Sequence, residues 1–138
     1  VRAGLLAVPA LAAALAGCGG SEPSAEGVVR AWAESVRLGH AEAAAGLFAP
    51  GAEVIDGERR LVLRTESQAL RYSRREACAG DVVRIEEERG TVEVEFEVGA
   101  AEARRCDGLG RERALFRVRD GRITFLHRLP GRERLRVV

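Results

Sequence analysis

The chain has little with which to build several common kinds of site. Only two histidines occur among its 138 residues, and His40 falls at an expected helix junction, so a metal centre built on imidazole is excluded. No nucleophile elbow, P-loop or dinucleotide fingerprint is present, and the glycines read as turn punctuation. The formal net charge is +1, from 22 basic and 21 acidic residues, so nothing recommends nucleic acid as a partner. Lysine, asparagine and methionine are missing, and every basic residue is arginine. With Val at position 1, that composition suggests a GTG start codon and a GC-rich bacterial genome. Beyond the first 17 residues no stretch is apolar enough, for long enough, to cross a bilayer.

What is present starts with Leu15-Ala16-Gly17-Cys18. Ahead of it lie Arg2 and an almost wholly apolar run from Ala3 to Ala16 that ends in small side chains. This is the layout of a signal peptide, too short to persist as a membrane-spanning helix. The tetrapeptide resembles the lipobox of bacterial lipoproteins. The resemblance implies cleavage before Cys18, a diacylglyceryl group on its thiol, and a mature chain anchored to the extracytoplasmic face of the cell membrane. Each buried methylene of an acyl chain contributes about 0.8 kcal/mol, so two or three chains hold where one does not. Residues 1–17 are then signal peptide and 18–24 the acylated cysteine with a flexible tether. A single domain follows over 25–130, with a tail over 131–138.

Export also sets the redox state. With Cys18 acylated, Cys78 and Cys106 remain as an even pair in an oxidising compartment, flanking an expected hairpin, and a bridge between them is predicted. The arginines cluster, Arg104, Arg105, Arg111 and Arg113 in one stretch and Arg128, Arg132, Arg134 and Arg136 in another. Acids such as Glu86, Glu93, Glu95 and Glu97 lie on neighbouring segments, so a mutually paired, solvated face is expected.

Periodicity orders the rest. Ser24 is a plausible N-cap for a helix in which Val28, Val29, Trp32 and Val36 recur at helical spacing, with Gly39 as its stop. His40 opens a second, Ala-rich helix expected to run to about Phe48 and to end at Pro50-Gly51. Ala52–Ile55 and Arg60–Leu63 read as a hairpin around Asp56-Gly57. Thr65 with Gln68 forms a capping-box pattern for a third helix through about Glu76, with Ala69, Leu70 and Tyr72 toward its buried side. Val82–Glu87 and Thr91–Val98 follow as strands joined at Arg89-Gly90, then a loop from Ala103 to Gly110. Glu112–Arg119 and Arg122–Leu129 close as a hairpin about Asp120-Gly121, with Ile123, Phe125, His127 and Leu129 on one face. The fold class is α+β: a curved antiparallel sheet with three helices from the N-terminal half packed on it.

Trp32 to Gly39, Leu47-Phe48-Ala49, Ala52-Glu53-Val54-Ile55-Asp56 and the closing Phe116 to Ile123 together resemble the nuclear transport factor 2-like superfamily. That group is also called SnoaL-like or ketosteroid-isomerase-like, and has a cone-shaped, cystatin-like roll around a pocket. The resemblance places Asp56 where isomerase members hold a general base, and makes Trp32, Tyr72, Phe116 and Phe125 candidate pocket residues. It also implies oxyanion donors on the first helix and the penultimate strand, where this chain has Trp32 and Ala114. An alanine donates nothing there, and loss of one donor costs about 10² to 10³ in rate. His127 is the other candidate acid or base.

The expectation is a membrane-tethered, non-catalytic domain that binds a small apolar ligand or a partner protein, without cofactor or metal, and able to form a homodimer. The alternative is an isomerase, cyclase or hydratase that uses Asp56 with His127, which requires both side chains to converge on one cavity.

Overall fold

The computed structural model describes residues 23–129, so the lipobox, Cys18, most of the tether and the C-terminal tail lie outside the described residues. Ser24 caps the first helix, its hydroxyl accepting a hydrogen bond from the Gly27 amide. This helix, α1 (Ala25–Arg37), buries Val28, Val29, Trp32, Ala33 and Val36 along one stripe, as the spacing predicts. After Gly39 the short α2 (Ala41–Ala45) begins at His40.

Here the structure corrects the expected boundary. α2 ends at Ala45, and Phe48 is already the first residue of a strand, β1 (Phe48–Asp56). Pro50-Gly51 lies inside that strand instead of ending a helix. Proline cannot donate to a ladder, and the pairing of β1 with the last strand is irregular across this stretch, passing from Phe48–Ile123 to Glu53–Phe125.

The hairpin partner, β2 (Arg59–Leu63), pairs with Asp56 opposite Arg59, so the turn is Gly57-Glu58, one residue later than expected. Asp56 is therefore a strand residue. The third helix, α3 (Glu66–Arg75), has the predicted capping box: the Thr65 hydroxyl accepts from the Gln68 amide and the Gln68 side chain accepts from the Thr65 amide. Then come β3 (Asp81–Glu88), β4 (Thr91–Val98), β5 (Gly110–Arg119) and β6 (Arg122–Leu129). The turns Arg89-Gly90 and Asp120-Gly121 put both residues at positive φ, as two-residue turns between twisted strands require.

The six strands form one sheet in the order β2-β1-β6-β5-β4-β3. All neighbours are antiparallel except β1 and β6, which run parallel. The inner face carries Val54, Val92, Val94, Phe96, Phe116 and Leu126, and α1 packs across it. Burying that face is the main source of stability. Gly80 has a separate task, since a Cβ there would fall 2.1 Å from the Glu97 carbonyl oxygen where the chain enters β3.

Alternation on β6 does not run as the sequence suggests. Val118 pairs with Ile123 but Arg117 pairs with Phe125, so Thr124 is an extra residue at a bulge. One extra residue reverses the facing of everything after it. Ile123 points inward as expected. Phe125, His127 and Leu129 then share the outer face, and Leu126 and Arg128 take the inner one.

Candidate functional site

The bulge decides what the inner face can do. At the end of the sheet farthest from the β5–β6 turn, Asp56 on β1 and Arg128 on β6 are register partners. The Arg128 guanidinium donates to Asp56 Oδ2 at 3.2 Å and approaches Oδ1 at 3.5 Å. Its other terminal nitrogen donates to the Cys106 carbonyl oxygen at 2.8 Å and lies 3.6 Å from Glu112 Oε1 and 3.7 Å from Asp107 Oδ2. The Arg128 side chain is 13% exposed and that of Glu112 5%, whereas Asp56 keeps 33%. One guanidinium on β6 thus ties in β1 and the 99–109 loop through charge-assisted hydrogen bonds and β5 through an ion pair.

Tyr72 of α3 is buried beside this cluster. Burial pushes its phenol well above the ordinary tyrosine range, and the nearby Asp56 carboxylate pushes it further. The loop that delivers the Cys106 carbonyl is fixed covalently, because Cys78 and Cys106 form a disulfide with Cα atoms 5.0 Å apart. With Val98, the bridge makes a small buried cluster of its own.

The remaining candidates separate. Trp32 and Phe116 are buried with ring centroids 5.1 Å apart, Trp32 and Phe48 lie 6.5 Å apart, and Phe48 and Tyr72 5.9 Å apart, each pair edge to face. These rings occupy the space between the helices and the sheet. Phe125 is on the other side of the sheet, under the Arg117 guanidinium at 5.0 Å and next to His127 at 6.2 Å. His127 sits between Ile55 and Leu115 in register, also on the outer face. The structure brings Asp56 and Tyr72 together and leaves His127 and Phe125 on the opposite side from both.

Arg128, which binds Asp56, and Glu112, which pairs with Arg128, were not among the sequence candidates. Glu112 was within reach: counting back from Phe116 by twos gives Ala114 and then Glu112 on the inner face. Arg128 was not, because the bulge hides its facing. Among the described residues, no group of three His, Cys, Asp or Glu side chains is placed to hold a metal ion. The indole nitrogen of Trp32 and the Ser73 hydroxyl are buried polar atoms without a hydrogen-bond partner there.

Chemically, Asp56 is an engaged carboxylate. A general base needs a lone pair directed at a substrate proton, and here both carboxylate oxygens face Arg128.

No protein-family model matches the chain, and no curated protein matches it. Solved structures do. An NTF2-like protein of unknown function from Cytophaga hutchinsonii aligns with a TM-score of 0.65 and 13% identity, over 83% of this chain and 96% of that one. A candidate polyketide cyclase from Sinorhizobium meliloti gives 0.58 and 18%, over 74% and 93%. A hypothetical protein with a ketosteroid isomerase-like fold from Catenulispora acidiphila, solved in complex with trimethylamine, gives 0.54 and 17%, over 76% and 85%. At these identities the likeness establishes the fold: a curved six-stranded sheet with a few helices, of nuclear transport factor 2-like type.

Proposed function

We propose that this protein is an extracytoplasmic lipoprotein, acylated at Cys18, whose nuclear transport factor 2-like domain binds a ligand or partner at the membrane surface without turning it over. The observation that carries the non-catalytic part is the placement of the two candidate acid–base groups. Asp56 is tied to Arg128 on the inner face, and His127 is on the outer face beside Phe125. The alternative of an isomerase, cyclase or hydratase needs those side chains to share a cavity, and the sheet stands between them. The aromatic contacts of Trp32, Phe48, Phe116 and Tyr72 favour the same reading, since rings packed on rings serve as core. The anchor rests on the lipobox and on a disulfide that fits an oxidising compartment.

Asp56→Asn tests the non-catalytic reading without knowledge of a substrate. A carboxylate held for structure loses stability when neutralised, whereas a catalytic group kept in a strained site commonly gains it. The expected result is a loss of about 1–2 kcal/mol in the thermal melt, the size of a charge-assisted hydrogen bond at a partly exposed site. A stabilised Asp56→Asn chain would favour catalysis.

A further inference from the structure

Two of the four arginines of β5 are paired as the pattern predicts, Arg111 with Glu95 and Glu97 and Arg113 with Glu93, whereas Arg104 and Arg105, expected to share that paired face, are not. Nor are those on the α2–α3 side. Arg71, Arg74 and Arg75 are exposed on α3 at i, i+3 and i+4, and Arg104 and Arg105 are exposed on the disulfide loop. None of the five makes an ion pair among the described residues.

Two of them line one concavity. Arg74 and Arg105 wall an open groove of about 430 Å³ with His40, Glu42 and the backbone around them, where α1 hands over to α2. The dipole of α3 favours cations in its last turn and so accounts for Arg74 and Arg75. It does not account for Arg105, which is on no helix. Arg105 is held there by its neighbour, since Cys106 is fully buried and bridged to Cys78 just after α3. Glu42 is the one acid in the wall, against two guanidiniums and an imidazole. Glu102 of the same loop is turned to Gly99.

The geometry points to an anion-binding groove in which Arg74 of α3 and Arg105 of the disulfide loop grip a small soluble phosphate-type oxyanion. A guanidinium fork matches phosphate oxygens two at a time, and a bound anion relieves the repulsion among like charges on one helix face. The groove follows the C-terminal end of α1, about 20 Å along the helix from the end where the tether enters. In a chain anchored at Cys18 the groove sits at the end of α1 away from the tether, which favours a free ligand over a headgroup. Only this choice of source rests on the proposed anchor.

The test uses the mature chain of the proposed reading, residues 18–138 with Cys18→Ser, so that neither an acyl group nor the apolar leader drives partition, titrated with inorganic pyrophosphate by calorimetry. Binding is expected, weakened at least tenfold in Arg74→Ala/Arg105→Ala and unchanged in Arg89→Ala/Arg119→Ala, with all three chains melting alike. Absence of binding, or equal binding by the Arg74/Arg105 variant, overturns the proposal. Vesicles of phosphatidylglycerol and of phosphatidylcholine supply the second arm. No difference in uptake between them supports a free ligand. Preference for phosphatidylglycerol that disappears in the Arg74/Arg105 variant overturns that choice in favour of a lipid headgroup.

Discussion

Replacing Arg128 by methionine keeps most of the stem and removes the charge that joins four segments. The loss can be sized from the geometry. Arg128 and Glu112 are almost wholly buried, and breaking a buried pair costs about 3–5 kcal/mol. Asp56 is a third exposed, and water compensates most of its loss, so roughly 3–5 kcal/mol is the expected total. For a domain of this size each kcal/mol lowers Tm by about 4 °C, which gives a fall of roughly 12–20 °C. Arg113→Met on the outer face is the control. Its partner Glu93 is nearly half exposed, and surface pairs are worth at most about 1 kcal/mol. The assay is a circular dichroism melt of the oxidised chains, with Asp56→Asn and the double variant completing a cycle. An Arg128→Met chain that melts within about 3 °C of the parent, or shows no coupling to Asp56, would refute the assignment of Arg128 as the clasp.

Two further outcomes follow from the same region. Tyr72 is the only tyrosine, and its folded-state pKa is raised above the ordinary value of 10.0 by burial and then by Asp56. Its contribution to stability is complete below that ordinary value and is lost as pH rises above it, because only the unfolded chain ionises there. Tm is thus expected to drop on the alkaline side of pH 10.0 more steeply in the parent than in Tyr72→Phe, with phenolate absorbance appearing only on unfolding. Reducing the Cys78–Cys106 bridge opens a loop with a sequence separation of 28, which costs roughly 3–4 kcal/mol in the chain-entropy model and should lower Tm by about 10 °C or more. An unchanged melt would show that the bridge does not constrain the chain.

The elements bounded by local chemistry were legible in the sequence. Ser24 and the Thr65–Gln68 capping box mark helix starts, and Arg89-Gly90 and Asp120-Gly121 mark hairpins, because each is written in adjacent side chains. Phe48 was misassigned to α2 because its strand state comes from pairing with Ile123, 75 positions away. The candidate site suffered most from one backbone event. The bulge at Thr124 has no composition of its own, and it moves His127 and Phe125 out and Arg128 in. A faint signal existed, since Leu126 is apolar at a position that strict alternation from Ile123 assigns to solvent. The inner placement of Glu112 needed no such help. It follows from the unbroken alternation of β5, although a glutamate is rare on a buried face.

The anchor at Cys18 is the premise on which the proposed location and role depend, and the amino terminus of the natively expressed protein tests it most directly. Mass spectrometry of the membrane fraction is expected to find a chain that begins at Cys18 and carries acyl groups. An unmodified chain that retains residues 1–17 and partitions to the cytosol would contradict the account.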